Sequence, residues 1–130
     1  MRSCLLLSLA CACAQQSAPS PDGNGSASCP TTAVSFQHDV VPLVGQCGGE
    51  QCHAGIGTSW PYASLVDVPA AECSDRVYVK PGDPHDSYLV QKLDGVDLCS
   101  GSRMPLLGTP LSADDIATIT TWICQGAANN

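Results

Sequence analysis

The chain is 130 residues long, which allows one domain. It carries 12 acidic against 5 basic side chains, a formal net charge of -7, and this excludes the basic patch that nucleic-acid binding requires. Nine cysteines in so short a chain suit an oxidising compartment, where disulfides form and persist.

Residues 1–13 read as a signal peptide with a lipobox-like end. Arg2 is the basic start, Leu5 to Ala10 form an apolar run too short to span a bilayer, and small residues and cysteines follow. Cys11 and Cys13 both stand where a lipoprotein is cut and acylated; cleavage near Ala14 without a lipid is the other reading. Residues 14–32 are rich in Ser, Pro, Gly, Gln and Asn with no apolar period, and read as a flexible tether in which only Cys29 stands out. The folded domain is expected over residues 33–128, a size that gains from staples or a bound cofactor. The expected location is the periplasm or cell envelope, with a lipid on Cys11 or Cys13 holding the protein to the membrane.

Three helices are expected. The first covers 35–46: Phe36, Val40, Leu43 or Val44, and Cys47 share one face, Ser35 can cap it, and Pro42 conflicts with a regular helix. The second covers 84–94, with Asp83 as N-cap, Pro84 at the first position, Leu89 and Leu93 on one face, and Gly95 as its stop. The third lies in LSADDIATITTWICQGA, residues 111–127. Ser112 and Asp115 have the capping-box spacing, and Leu111 and Ile116 flank the cap at staple positions. Ile116, Ile119 and Ile123 form an apolar stripe widened by Trp122, and Gly126 ends it. No stretch alternates as a strand, so the expected fold is all-α with long loops.

The chemistry concentrates in CGGEQCH, residues 47–53. Haem attachment usually takes C-x-x-C-H, in which two thiols bond the haem vinyl groups and the histidine binds iron. Here four residues separate Cys47 from Cys52, and Gly48 and Gly49 make a bulged loop cheap. One methionine other than Met1 exists, Met104 in GSRMPLLGTP; a loop methionine beside proline suits a second iron ligand, and a loop plug over the core is its plainer role. A six-residue disulfide loop between Cys47 and Cys52 is the plainer reading of the cysteines, with His53 as an exposed loop residue.

The chain resembles the small cytochrome c-like domains of exported planctomycete and myxobacterial proteins. The matching pieces are FQHDVVPLVGQC, CHAG, VKPGDPHDSYLVQKL, RMP and LSADDIATITTWICQGA, spanning nearly all of residues 36–127. The resemblance implies an all-α cytochrome c-like fold whose N- and C-terminal helices cross. It implies haem c held by thioethers to Cys47 and Cys52, with His53 as proximal and Met104 as distal iron ligand. The four-residue gap between the cysteines departs from the family pattern.

Other residues carry two readings each. Arg103 faces a haem propionate or is a solvated loop charge. Trp60 and Tyr62 wall a cofactor pocket or fill the core. His38 and His85 are expected at the surface, and Phe36 and Trp122 between the terminal helices. Cys73 and Cys99 bracket the middle helix, so a bridge between them would restrain the Met104 loop. Cys29 and Cys124 would then tie the tether to the last helix, though spacing alone leaves other pairings open.

The expected function is that of an electron carrier rather than an enzyme: a monomeric, exported c-type cytochrome serving redox partner proteins. The first alternative is a disulfide-stapled interaction module at the envelope without haem. The second is a copper site built from Cys47, Cys52, His53 and Met104.

Overall fold

The structure, a computed structural model of the chain, describes residues 28–45, 62–106 and 108–130. Ser35 begins the first helix. Its backbone is extended (φ -92°, ψ 134°), its hydroxyl accepts from the His38 N–H, and the Asp39 carboxylate accepts the Ser35 N–H at 2.7 Å. The helix, α1, opens as a π turn over Phe36–Val40 and continues as an α turn over Val41–Val44. Pro42 falls in the first two positions of the second piece, just after the widened turn, where a missing N–H is best tolerated. Phe36, Val40 and Val44 are fully buried.

The expectation of an all-α fold is corrected here. Pro69–Ala70 (β1) and Cys73–Val77 (β2) pair as an antiparallel two-stranded sheet, with Pro69 opposite Val77, Ala70 opposite Cys73 and an irregularity between the pairs. Isolated parallel bridges join Val66 to Val79 and Val77 to Ser87. The expected cytochrome c-like class, taken as all-α, falls with this sheet. Side-chain period could not reveal β2, because its burial does not alternate: Cys73 is buried, Ser74 and Asp75 are exposed, and Arg76 and Val77 are half-buried. Local links hold the hairpin instead. The Tyr78 hydroxyl accepts the Ala71 N–H at 3.0 Å, and Cys73 is bonded to Cys99.

The second helix, α2, spans Tyr88–Asp94 and starts one turn later than expected. The Asp83 carboxylate does not cap it: one oxygen accepts the Asp86 N–H at 3.1 Å and the other accepts from Lys80 at 2.9 Å. Residues 83–87 therefore form turns, and Ser87 takes the N-cap position. The Ser87 hydroxyl faces backwards, donating to the Asp83 carbonyl at 2.8 Å and accepting from the Lys80 N–H at 2.9 Å. Gly95 ends the helix in the left-handed region (φ 74°), its N–H on the Gln91 carbonyl.

The third helix, α3, spans Ala113–Cys124 with the full capping box: the Ser112 hydroxyl accepts the Asp115 N–H, and the Asp115 carboxylate accepts the Ser112 N–H. Ile119, Trp122 and Ile123 are buried, and Leu111 and Ile116 are half-buried against the same core. Among the described residues no helix is long and apolar enough to cross a membrane.

The main core joins α1 to α3. The rings of Phe36 and Trp122 stack with centroids 5.0 Å apart, and Tyr62 meets Phe36 edge-on at 5.4 Å. Both polar tips find carbonyls, Trp122 Nε1 on Ala128 at 2.9 Å and the Tyr62 hydroxyl on Ala127 at 2.7 Å. The last residue closes the start of α1: the Asn130 carbonyl accepts from Gln37 N–H and Ser35 hydroxyl, and its side-chain oxygen accepts the Phe36 N–H. Residues preceding α1 are tied to the end of α3 by the Cys29–Cys124 disulfide and by Gln125, which accepts from the Val34 N–H and donates to the carbonyls of Pro30 and Thr32.

Candidate functional site

Of the expected haem-binding residues, Cys47, Cys52 and His53 lie outside the described residues, as do Cys11, Cys13 and Trp60. Met104 lies within them, half-buried on the stretch that follows α2. Its surroundings can be built up link by link.

That stretch is fastened to the end of α2. Cys99, at its start, is bonded to Cys73 of β2, with Cα atoms 6.0 Å apart. The Met104 N–H donates to the Lys92 carbonyl at 2.8 Å. Lys92 itself is only 7 % exposed, unusual for a charge that strongly prefers water. Its ammonium donates to the Ser100 carbonyl at 3.1 Å, lies 5.7 Å from the centroid of the Tyr88 ring and is 3.8 Å from the Glu72 carboxylate. Gly101 lets the loop come this close, because a Cβ there would stand 3.2 Å from the Lys92 nitrogen and its φ is 70°. Lys92 thus holds the loop at two points, by side chain at Ser100 and by backbone at Met104.

Arg103 supplies a third point. Its Nε donates to the Leu93 carbonyl at 2.6 Å, one of the carbonyls a helix end leaves without a partner. The Arg103 stem lies over Gly95, where a Cβ would sit 3.0 Å from Arg103 Cβ. The sequence offers Arg103 a propionate partner or a solvated position; the structure gives its Nε to the helix end. Lys92 has no part in that sequence pattern. The available signal was position: Lys92 is three residues after Leu89 and beside Leu93, on the apolar face of α2.

The other expected residues separate cleanly. Tyr62 belongs to the Phe36–Trp122 core. His38 and His85 are exposed, the His85 side chain at 96 %. Cys73, Asp75 and Cys99 bring ligand atoms within 4.8 Å of one another, but both sulfurs belong to a disulfide, which removes the thiolates that a metal would take.

A polar depression of about 440 Å³ lies between β2 and the start of α2, lined by Asp75, Arg76, Lys80, His85, Asp86 and Asp97. Its two permanent cations are both paired. Arg76 donates to the Gln91 side chain and to the Asp97 carbonyl, and pairs with the Asp97 carboxylate at 3.1 Å. Lys80 is held above the ordinary lysine range by hydrogen bonds to Asp86 and Asp83, and Asp86 is held below the ordinary carboxylate range, first by Lys80 and then by His85. A wider groove of about 850 Å³ runs between the outer face of α3 at Ile116, Ala117 and Thr120 and the segments at Cys29–Pro30 and Asp83–His85.

Comparison of the chain with protein-family models, with curated proteins and with solved structures found no match.

Proposed function

We propose that the chain is an exported c-type cytochrome that holds one haem c and passes single electrons between redox partner proteins. One observation carries the reading. The bridges Cys29–Cys124 and Cys73–Cys99 engage four of the six cysteines beyond residue 13, and the two outside those bridges are Cys47 and Cys52 of CGGEQCH. The donor set suits the group: two thiols for its vinyl carbons, the His53 imidazole, and the Met104 thioether on a loop tied to α2. Bound haem iron supplies the one-electron redox change. The chain's own task would be to orient that group and keep water from it, with His53 and Met104 as the residues that would hold its iron. With both donors supplied by the chain, no iron site would be left for a substrate, which would suit a carrier rather than an enzyme. The sequence before residue 14 supports a lipid on Cys11 or Cys13, placing a monomeric carrier at the cell envelope.

A second reading takes Cys47 and Cys52 as a third disulfide, in a module that binds a partner without haem. The two bridges already in the chain favour it. A visible spectrum separates the two. The full chain is made in a host with an active cytochrome c maturation system, then denatured and acid-extracted. Colour that stays with the protein is the expected outcome. A colourless protein with Cys47 bridged to Cys52 by mass spectrometry overturns the cytochrome reading.

A further inference from the structure

We propose that Cys73, Asp75 and Cys99 form a redox-gated zinc site: oxidised, the two cysteines are a bridge; reduced, they and the carboxylate are a ligand set. The site stands apart from the haem reading, since none of its three donors belongs to CGGEQCH.

Cys73 and Asp75 are two apart on β2, and side chains two apart on a strand leave the same face. Cys99 approaches from the stretch after α2, with its Cα 6.0 Å from that of Cys73. The ligand atoms of all three lie within 4.8 Å of one another. A tetrahedral zinc with bonds of about 2.0–2.3 Å needs its ligand atoms roughly 3.5–3.8 Å apart. Once the bond is cut, the sulfurs separate to that distance and the carboxylate has at most about 1 Å to close. Asp75 is exposed, so turning its side chain inward disturbs no packing. It also lines the polar depression, which gives an ion and its water an open approach. The other bridge is an internal control: among the described residues, Cys29 and Cys124 gather no third donor in this way.

Reduction does not scatter the donors. β2 stays paired with β1, and the Tyr78 hydroxyl stays on the Ala71 N–H. The stretch after Cys99 keeps the Lys92 ammonium on the Ser100 carbonyl, the Met104 N–H on the Lys92 carbonyl and Arg103 Nε on the Leu93 carbonyl. Cutting the bond loosens this stretch without detaching it. Access is unequal: Cys99 is exposed, whereas Cys73 is only 3 % exposed. An attacking thiolate therefore meets the Cys99 sulfur, and Cys73 is the leaving sulfur.

The reductant is a dithiol. It gives two electrons and two protons, the Cys73–Cys99 bond breaks, two thiols form and the reductant becomes a disulfide. Zinc then displaces both thiol protons and takes two thiolates, one carboxylate and a water at the open fourth position. Thiolates select zinc over calcium or magnesium, whose ligands are oxygens. The reverse exchange, with a disulfide as oxidant, re-forms the bond and expels the ion.

The test uses the full chain, reduced with a dithiol that is then removed without air, with zinc as the probe. Iodoacetamide labels thiols, and peptide mass spectrometry reads each cysteine separately, so Cys47 and Cys52 do not enter the result. Zinc should protect Cys73 and Cys99 from labelling and leave Cys29 and Cys124 open to it. In Asp75→Asn the zinc concentration that half-protects Cys99 should rise about 10- to 100-fold, the cost of losing a partner at a metal site. Amide exchange in α3 follows the fold in each sample.

Labelling of Cys99 that zinc does not slow overturns the site. Equal protection in the wild type and Asp75→Asn, or equal protection of Cys29 and Cys124, also overturns it, because any dithiol would then suffice. A chain that loses α3 protection on reduction and does not regain it with zinc overturns the retention of the donors. Protection confined to Cys73 and Cys99 and weakened in Asp75→Asn supports the three-donor site.

Discussion

Around Trp122 the chain closes through apolar area; around Lys92 it closes through covalent and polar links. In the first region Phe36, Val40, Val44, Ile119, Trp122 and Ile123 are all buried to 1 % exposure or less. In the second the buried apolar cluster is small, Ala70, Cys73 and Tyr88 with Tyr78 beside it, and the work falls to the Cys73–Cys99 bond, Lys92 and Arg103. Hydrophobic burial is strong but non-directional, so it holds elements together while leaving the placement of any one atom to side-chain packing. Hydrogen bonds and disulfides fix particular atoms at particular distances. A region built from them suits holding particular loop atoms in place.

If that division is right, the largest stability loss comes from the apolar region. Trp122→Ala removes the ring stacked on Phe36 and leaves the Ala128 carbonyl without its donor. A loss of about 3–5 kcal/mol is expected in denaturant unfolding. A loss under about 1 kcal/mol, the range of ordinary surface changes, would mean that this core is not where the stability lies.

Removing the Cys73–Cys99 bridge comes next. The two residues are 26 apart in sequence, and closing a loop of that length in the unfolded chain is worth about 3.5 kcal/mol. The double variant Cys73→Ala with Cys99→Ala should therefore unfold at lower denaturant. Amide exchange should rise at 99–104 with little change in α3. Equal loosening in both regions would show that they are one cooperative unit, not two differently held ones.

Ser112→Ala touches only the cap of α3. It deletes the hydroxyl that accepts the Asp115 N–H and donates to the Asp115 carboxylate. About 1 kcal/mol is expected, read as a shift in unfolding midpoint at constant slope. Because α3 brings Ile119, Trp122 and Ile123 to the main core, that loss should appear in global unfolding and leave the Met104 amide unaffected below it.

How far the sequence revealed all this follows the same division. The elements of the apolar region were readable, since periodicity and caps report on burial: Ser112, Asp115 and the isoleucine stripe located α3, and Ser35 and Phe36 located the start of α1. The polar region was legible only in part: α2 and its Gly95 stop were expected, its start and the sheet were not. β2 has too few residues and no alternation, and α2 starts late because Asp83 spends its carboxylate on Lys80 and Asp86 rather than on a helix end. Those choices depend on partners distant from any local pattern. The two disulfides agree with the pairing that bracketing suggested, Cys73 with Cys99 and Cys29 with Cys124. Met104 stood out because methionine is rare in this chain, whereas Lys92 looked like one more helical lysine.

The smallest effect belongs to the exposed ion pair beside the polar depression. Asp86 accepts from Lys80 at 2.8 Å and faces His85 at 3.3 Å, and its carboxyl is held below the ordinary carboxylate range, chiefly by the Lys80 hydrogen bond. A depressed folded value means that the unfolded chain takes up the proton first as pH falls. The pair therefore contributes in full above the unfolded carboxylate value and fades as pH drops through the folded one. Solvent screens the pair, so the contribution to stability is slight and should weaken further with salt. A carboxyl-carbon NMR titration reads it directly. In the wild type the Asp86 midpoint should lie below the ordinary carboxylate range. In Lys80→Met it should move up towards the ordinary range, with the Met104 amide unchanged. A wild-type midpoint already at the ordinary value would mean that the Lys80 contact is not populated in solution, and that the polar links of this region fade at its surface and persist only where Lys92 is buried.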